Sequence, residues 1–398
     1  MPTRRFGRTD LPIPVFSCGG MRFQQGWNGA IKPEEIEKAN QDRLASTIER
    51  ALQLGINHIE TARGYGPSEM QLGQILPHLP REKMMVQTKV GPHQDTKEFL
   101  ANFEKSMAHL KLDFIDLFSF HGVNTSELLD QVIRPGGCLE VARRWQKDGR
   151  VRHIGFSTHA PTDVIIRACD TGEFDYVNLH YYFVNQFNWP AIEAATRNDM
   201  GVFIISPTDK GGMLQKPSEK MTQLCAPLTP MGFNDLWCLK HPQIHTLSIG
   251  ASNPGDFEEH VEALQFYDRI DAAVAPVEAR LQSEIEATFD RDWAQNWSKA
   301  LPEYVDLPGD LNVRDILRVF TYGKSFDLIE WGKGRYNLLG NAGHWFPGQN
   351  VKVLDDDAKW RELEQKLESN PFAARIPAYL HEAHELFKGE EKERLSKS

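Results

Sequence analysis

Cysteine is sparse in this chain of 398 residues, which contains five, an odd number, scattered along its length. No C-x-x-C pair occurs, so we expect neither a disulfide framework nor a zinc site. Reduced thiols in a cytoplasmic protein are the better interpretation. The cysteines are Cys18, Cys138, Cys169, Cys225 and Cys238.

Long apolar runs and basic patches are also lacking. No stretch of about eighteen apolar residues could span a bilayer, and the opening MPTRRFGRTDLP lacks the apolar segment of a signal peptide. The formal net charge of −10 argues against nucleic acid or an anionic membrane as the main partner. We therefore expect a cytoplasmic protein that binds neither.

Eight short apolar runs alternate with amphipathic segments between Pro14 and about Leu264, a pattern typical of parallel strands joined by helices. Eight such units in about 250 residues predict an α/β fold of the closed (β/α)8 type, the TIM barrel. An open doubly wound sheet is the alternative, but no G-x-G-x-x-G follows the first run. The runs are PVFSCG, INHIET, MMVQTKV, FIDLFSFH, VRHIGFS, FDYVNLH, GVFIISP and IHTLSIG.

Beyond Leu264 the alternation stops and helical patterns follow. Residues 267–289, 313–331 and 355–369 are each predicted to be helical, and the charged tail 388–398 is predicted to be frayed. The sequence therefore predicts a barrel over residues 1–267 and a helical C-terminal extension over residues 268–398.

Polar side chains close three consecutive apolar runs. Glu60 ends the second run and is followed by Tyr65, Lys89 ends the third, and His121 ends the fourth. Since the active site of such a barrel lies at the carboxyl ends of its strands, the four are predicted to converge. A desolvated lysine lowers the pKa of a neighbouring phenol, and a carboxylate keeps that lysine charged. A single lysine, tyrosine or histidine at a strand end is more often a structural hydrogen-bonding group than a catalyst. The occurrence of all four residues on consecutive strands predicts that Tyr65 donates a proton.

The same residues carry a resemblance to the aldo-keto reductases. The segment ETARGYGPSE, Glu60 to Glu69, resembles the family motif Asp-Thr-Ala-x-x-Tyr-Gly-x-Ser-Glu, and QTKVG, IDLFSFHG, RHIGFSTH, SPTDKGG and SIGASNPGDFEEHVEAL also match. The likeness spans about residues 3–267 and implies an N-terminal hairpin before the barrel. It implies hydride transfer between a nicotinamide cofactor, NADP or alternatively NAD, and a small carbonyl substrate. Tyr65 would then be the general acid, with Lys89 lowering its pKa.

The resemblance gives the remaining residues their roles: Glu60 as the partner of Lys89, and His121 as an orienting donor. Asn178 stands where many members have a glutamine for the carboxamide, and Ile205 where many have a stacking tyrosine. Ser252 replaces a cation typical of NADP-preferring members, which leaves the nucleotide preference open. The implied cofactor-binding residues are Gly20, Met21, Ser157, Thr158, Asn178, Ser206, Lys210, Gly211, Gly212, Gly250, Ser252 and, at the adenine end or else on a solvated helix face, Asp256, Glu259 and His260.

Departures from the family pattern motivate a rival hypothesis. Glu60 is one methylene longer than the usual aspartate, which matters at a preorganised site. RYNLLGNAGHWFPGQN and ARIPAYLHEAHELF resemble the tail of the branch with a ferredoxin-like iron-sulfur extension, yet no cysteine lies between them, so no cluster is expected. His381 and His384 share a helical face, but two histidines without a third ligand do not predict a metal. The rival is a weakly catalytic module that senses nicotinamide redox state and binds a protein partner through the extension.

Overall fold

The computed structural model describes residues 1–394, and the last four residues of the tail predicted to be frayed lie outside the described residues. The chain divides into two compact units. The first comprises Met1–Thr208 and Asn234–Asp268, and the second comprises Asp209–Phe233 and Arg269–Arg394. No helix within residues 1–394 has both the length and the apolar character needed to cross a membrane.

The first unit contains a closed barrel of eight parallel strands, which confirms the predicted fold class. Each of the eight apolar runs forms one strand, and each strand pairs with its successor until the last pairs with the first. Strands β3 to β10 are Phe16–Gly19, His58–Glu60, Met85–Val90, Ile115–His121, Val151–Ser157, Tyr176–Leu179, Gly201–Ile204 and Thr246–Ile249.

An antiparallel hairpin, β1 (Thr3–Arg5) and β2 (Pro12–Pro14), precedes the barrel, as predicted. Its Phe6 and Ile13 are fully buried in an apolar cluster with residues from four of the barrel strands. A Cβ atom on Gly201 would lie 2.5 Å from the Phe6 ring, so a larger residue there would displace the hairpin. The other members of the cluster are Met85, Leu117, Tyr176 and Phe203.

Helices follow the strands along the chain. In the first of them, Leu44, Ile48 and Ala51 are buried on one face, the spacing expected of an amphipathic helix. Helices α1 to α10 are Lys38–Gln53, Ser68–Leu72, Thr96–Leu110, Ser126–Ile133, Cys138–Lys147, Thr162–Asp170, Trp189–Arg197, Glu219–Cys225, Pro230–Leu239 and Glu258–Ala263.

The second unit is helical. The pattern over residues 313–331 predicted helix throughout, but the structure has two helices separated at Asp327, whose φ of 54° is left-handed and ends the first. The resemblance of this unit to a ferredoxin-like extension stays a prediction. Helices α11 to α16 are Ile270–Thr288, Arg291–Asn296, Val313–Ser325, Ile329–Tyr336, Asp357–Leu367 and Ile376–Phe387.

The segment that follows β9 belongs to this helical unit. Arg280 of α11 donates to the Leu224 carbonyl at 2.8 Å, and Lys220 forms an ion pair of 2.6 Å with Glu284. Residues 209–233 are therefore attached to the helices of the extension by polar contacts.

A layer of polar side chains lies inside the barrel. The Ser17 hydroxyl is 2.7 Å from both His58 Nδ1 and Thr246 Oγ1, and Gln87 donates to Ser119 at 2.8 Å. All five side chains are completely buried. A histidine in such a place has no water to stabilise its charged form.

We expect His58 to make the fold sensitive to acid. Burial, and to a lesser degree the charge of Lys89, lowers the pKa of His58 to about 3, whereas an unperturbed histidine titrates near 6.5. Between these values the unfolded chain binds a proton that the folded chain does not, so stability declines as the pH falls from about 6.5 towards 3. At pH 4.5 this amounts to about 2–3 kcal/mol.

Urea unfolding of the wild type and His58→Asn at pH 7.5 and pH 4.5 measures the effect. The variant should lose less unfolding free energy on acidification than the wild type does. The exposed His78, changed to asparagine, is the matched control and should follow the wild type. An equal acid-dependent loss in His58→Asn and the wild type would contradict the assignment.

Candidate active site

Three predicted catalytic residues lie at the carboxyl ends of adjacent strands. Glu60 ends β4, Lys89 lies near the end of β5, and His121 ends β6. The Lys89 ammonium contacts the Glu60 carboxylate and donates to the Thr61 carbonyl at 2.7 Å. Glu60 and Lys89 are only 3% and 1% exposed. The longer glutamate therefore still reaches the lysine.

Tyr65 joins this pair from the turn between β4 and α2. Its half-buried ring has its centroid 4.7 Å from Lys89 Nζ and 5.6 Å from the His121 ring, which is nearly perpendicular to it. This turn requires a glycine at position 66. Gly66 has a φ of 52°, and a Cβ atom there would lie 2.1 Å from the Gly26 carbonyl oxygen. The structure thus brings together all four residues that the strand ends indicated.

The electrostatics of the lysine suit a role beside a phenol. Burial lowers the pKa of Lys89 well below its usual value, while the adjacent Glu60 carboxylate and Thr61 carbonyl favour the charged ammonium. A cation close to the Tyr65 ring stabilises the phenolate relative to the phenol. The Lys89 ammonium therefore lies where it could act on the Tyr65 phenol.

A buried carboxylate, whose role was not considered from the sequence, supports this arrangement. Glu69 of α2 accepts a hydrogen bond of 2.6 Å from Thr88, the neighbour of Lys89 on β5, and pairs with Arg63. Burial raises the pKa of Glu69 despite the charge of Arg63. The contact ties the helix after Tyr65 to the strand that carries Lys89.

Two predicted cofactor residues lie at the next strand ends. Ser157 ends β7, where its hydroxyl accepts from the Gly122 amide at 3.2 Å. The amide nitrogen and oxygen of Asn178, on β8, are fully buried and have no hydrogen-bond partner among the described residues. An unpaired buried amide is costly, so Asn178 suits a polar ligand such as a carboxamide. Thr158 instead donates to the Val123 carbonyl at 2.7 Å.

The predicted glycine and methionine lie in the turn after β3, and the predicted serine lies in an irregular segment after β9. The Gly20 amide donates to the Glu60 carbonyl at 2.6 Å, and a Cβ on Gly20 would lie 2.6 Å from that oxygen. Met21 follows it and is half-buried, and Ser206 has a φ of 55°. Gly20 thus lets the chain pass close to the strand that carries Glu60.

An arginine that sequence reasoning missed lies beside Gly250, two residues before Ser252. A Cβ on Gly250 would lie 3.1 Å from Cγ of Arg22, and the Ser252 hydroxyl donates to the Arg22 carbonyl at 3.4 Å. Ser252 had suggested a region without the cation of NADP-preferring relatives. The only sequence signal was an arginine two residues after Gly20, which the strand pattern does not relate to Ser252.

Two of the three residues predicted for the adenine end, Asp256 and His260, contact other residues of the protein. The Asp256 carboxylate accepts from the Ser252 amide at 2.7 Å, and Glu259 is half-buried. His260 is buried with Nδ1 2.5 Å from the Asp235 carboxylate. Burial disfavours its charge, but Asp235, together with Glu259 and Asp256, raises the pKa of His260. A role for Asp256, Glu259 and His260 in adenine binding stays a prediction.

Lys210, Gly211 and Gly212 belong to the second unit. The Lys210 carbonyl accepts from the Trp331 indole at 3.3 Å, and a Cβ on Gly212, whose φ is 129°, would lie 3.3 Å from the Leu328 side chain. Their proposed contact with a cofactor stays a prediction.

The two C-terminal histidines have other partners. His381 stacks on Trp360 with ring centroids 4.1 Å apart, and His384 Nδ1 is 2.6 Å from the Tyr336 hydroxyl. Within residues 1–394, no group of three or more His, Cys, Asp or Glu side chains is arranged to hold a metal ion.

Comparison with known proteins matches the model of the aldo/keto reductase family to residues 16–263. The chain is 26% identical over 229 residues to the NADH-specific methylglyoxal reductase of Escherichia coli (strain K12), covering 52% of this chain and 67% of that protein. A holo-form aldo-keto reductase of Bacillus halodurans superposes with a TM-score of 0.57 at 18% identity, over 70% of this chain and 96% of that one. One from Klebsiella pneumoniae in complex with NADPH has a TM-score of 0.53 at 18% identity, over 69% and 95%. At 18% identity, these two structural likenesses show a shared fold alone.

Proposed function

Since the chain belongs to the aldo/keto reductase family and is an oxidoreductase of that type, we propose that it reduces an aldehyde or ketone with Tyr65 as general acid. The cofactor is NADPH, with NADH as the alternative. The observation that carries the proposal is the buried contact between Lys89 and Glu60 beside the Tyr65 ring. A buried ion pair adjacent to a half-exposed phenol is costly to build and typical of a catalytic site.

The four residues have distinct tasks in this proposal. The Tyr65 hydroxyl donates its proton to the carbonyl oxygen of the substrate, and the Lys89 ammonium stabilises the resulting phenolate. Glu60 balances the charge of Lys89. His121, whose ring is perpendicular to that of Tyr65, donates a hydrogen bond to the same oxygen as negative charge develops. When bound, the nicotinamide supplies the hydride.

The chain's own residues fit a nicotinamide group. The unpaired buried amide of Asn178 and the hydroxyl of Ser157 offer the donors and acceptor that a carboxamide needs. Ile205 offers apolar cover, and the Arg22 side chain, whose Cγ lies beside Gly250, is a candidate to bind an adenosine phosphate. An arginine at this position favours NADP(H). One structural neighbour holds NADPH, whereas one relative is named for NADH.

Asn178→Ala should weaken binding of the nicotinamide cofactor about tenfold, because it removes a buried donor and acceptor. Isothermal titration of NADPH and of NADH measures the change. Asn102→Ala, on the outer helix α3, is the matched control and should bind both nucleotides like the wild type. Unchanged affinity in Asn178→Ala would remove Asn178 from the cofactor site.

The direct test of the function is a titration of the purified protein with NADPH and, separately, NADH, followed by tryptophan fluorescence. A panel of aldehydes, ketones and quinones is then added and oxidation of the cofactor is recorded. Binding followed by turnover supports the reductase, and the preferred nucleotide tests the role of Arg22. Binding without turnover favours the redox-sensing module and its protein partner, and absence of binding contradicts both.

A further inference from the structure

Two histidines and a tyrosine at the barrel mouth form a chain of hydrogen bonds that none of the roles above includes. We call His159, His180 and Tyr182 the His-Tyr chain. His159 follows β7, His180 and Tyr182 follow β8, and all three belong to the first unit. His180 and Tyr182 are 8% and 1% exposed, and His159 is half-buried. Buried polar side chains that bond to one another hold each other in a single arrangement.

The two histidines continue the inward-facing rows of their strands. Side chains of a strand alternate between its two faces, and Tyr176 of β8 points into the barrel, where its hydroxyl takes part in a buried hydrogen bond. Asn178 and His180 belong to the same row, two and four residues further on. On β7, Ser157 and His159 are related in the same way. The histidines therefore lie one step beyond Ser157 and Asn178, the residues that fit a nicotinamide carboxamide.

The contacts within the His-Tyr chain determine which ring nitrogens carry protons. The Tyr182 hydroxyl donates to the Ile205 carbonyl at 2.9 Å. His180 Nδ1 contacts the Tyr182 oxygen and lies 3.3 Å from the same carbonyl oxygen. An unprotonated Nδ1 would present its lone pair to both oxygens, so the neutral ring carries its proton there. His180 Nε2 then accepts from His159 Nδ1 at 3.1 Å, and every donor in the chain points towards Ile205.

The backbone of Ile205 is held at both of its polar atoms. Its amide donates to the Leu179 carbonyl at 3.0 Å, and its carbonyl accepts from Tyr182. The next residue, Ser206, has a left-handed φ of 55°. A residue other than glycine keeps such a conformation only where its surroundings hold it. The His-Tyr chain therefore fixes both the Ile205 peptide and the start of the segment that follows it.

A second bridge connects the same two segments. The Asn234 side chain accepts from the Phe183 amide and donates to the Pro207 carbonyl, both at 3.3 Å. Asn234 lies on α9, is 2% exposed and belongs to the first unit, as do its two partners. Phe183 directly follows Tyr182 in the chain. Two separate sets of hydrogen bonds thus attach residues 205–207 to the segment after β8.

We propose that His180 and Tyr182 are positioning residues for the nicotinamide ring. Ile205 stands where many family members have a stacking tyrosine, and an isoleucine can cover the ring only by apolar contact. Such contacts are short-range, so they depend on where the side chain is held. The His-Tyr chain sets that position through the Ile205 peptide, and His159 orients His180. The inference rests on the proposed function, because it takes Ile205 to face the nicotinamide.

The experiment compares two nucleotides that differ only in the nicotinamide. Wild type and Tyr182→Phe are titrated calorimetrically with NADPH and with 2′-phospho-ADP-ribose, which lacks that ring. Tyr182→Phe removes only the hydroxyl and should weaken NADPH binding about tenfold, the effect of one lost buried hydrogen bond. Affinity for 2′-phospho-ADP-ribose should be unchanged. NADH and ADP-ribose serve as the equivalent pair if the protein prefers NADH.

Two substitutions of His180 separate positioning from folding. Asparagine places an amide nitrogen close to the position of Nδ1, so it can still donate to Tyr182, whereas leucine has no donor. His180→Leu should therefore lose NADPH affinity as Tyr182→Phe does, and His180→Asn should keep part of it. The three variants alter the chain at different atoms, so the comparison stays decisive if one of them folds poorly.

Tyr181→Phe is the matched control. Tyr181 lies between His180 and Tyr182 in the sequence, is 3% exposed, and stacks on Trp237 with ring centroids 5.2 Å apart. The alternation of side chains directs it away from the row of His180. The control therefore removes a phenol hydroxyl nearby without altering the His-Tyr chain. It should bind both nucleotides with wild-type affinity.

The outcomes distinguish positioning from general damage and from failure of the proposed function. Weaker binding of NADPH alone in Tyr182→Phe and His180→Leu supports the inference. Equal losses for NADPH and 2′-phospho-ADP-ribose, or wild-type affinity for both, would overturn it. If the wild type binds NADPH but reduces no carbonyl, the reductase function fails, while a selective loss of NADPH affinity still supports the positioning role. A wild type that binds neither nucleotide contradicts both.

Discussion

Tyr65→Phe is expected to lower kcat for aldehyde reduction by about 10²–10⁴-fold, the usual contribution of a positioned general acid. The substitution removes only the hydroxyl, so the ring keeps its contacts with Lys89 and His121. Affinity for NADPH should be unchanged, because the phenol donates to the substrate rather than to the nucleotide. Steady-state kinetics and a cofactor titration of the same preparation measure the two properties.

Two controls accompany this prediction. Tyr267→Phe removes a hydroxyl that accepts from Arg4 at 3.0 Å, outside the candidate active site, and should retain full turnover. Glu60→Asp shortens the carboxylate to the length usual in the family and should leave turnover equal or improved. Unchanged aldehyde reduction in Tyr65→Phe would refute the assignment of Tyr65 as the general acid, irrespective of the turnover measured for the two control variants.

Lys89→Met is expected to lower the free energy of unfolding by about 3–5 kcal/mol, the effect of leaving a buried charge without its partner. In the wild type, Glu60 is 3% exposed and contacts the Lys89 ammonium. In the variant, the same buried carboxylate would have lost that cation. Carbonyl reduction should also be lost, since no cation stabilises the Tyr65 phenolate. Urea unfolding near pH 8 and steady-state kinetics measure the two effects.

The double variant Glu60→Gln/Lys89→Met separates stability from catalysis. It removes both charges, so it should recover most of the lost unfolding free energy and none of the activity. The stability deficit of the single variant Lys89→Met relative to the wild type should also be smaller at pH 5 than at pH 8, a comparison in which the acid effect of His58 largely cancels. An unpaired buried carboxyl has a raised pKa, so the folded chain retains a proton that the unfolded chain releases as the pH rises. A double variant as unstable as Lys89→Met would contradict the ion-pair account.

Strand positions and the convergence of the candidate catalytic residues were predictable because each depends on local sequence patterns. Period-two and helical patterns are visible in short windows, and a barrel places the end of every strand at the same face. Hence Glu60, Lys89 and His121 could be brought together from the sequence, and Tyr65 with them. The helical pattern over 313–331 was misleading in one respect, because nothing in it indicates the left-handed Asp327 that separates α13 from α14.

The supporting contacts were not predictable, because they join residues far apart in the chain. Glu69 reaches Thr88, nineteen residues away, and Arg22 lies beside Ser252, 230 residues away. His260 is a candidate for the adenine end from its position in a motif, and that role stays a prediction. Its contact with Asp235, 25 residues away, was not visible in the motif.

Local periodicity was enough to predict the number and order of the barrel strands and the residues that close them. The grouping of residues 209–233 with the extension, and the contacts of Trp331 with the Lys210 carbonyl and Arg318, became visible only in the folded chain. Hydrophobic patterning specifies which face of an element is buried. Which charges then meet depends on how separate elements pack, and no short stretch of sequence contains that information.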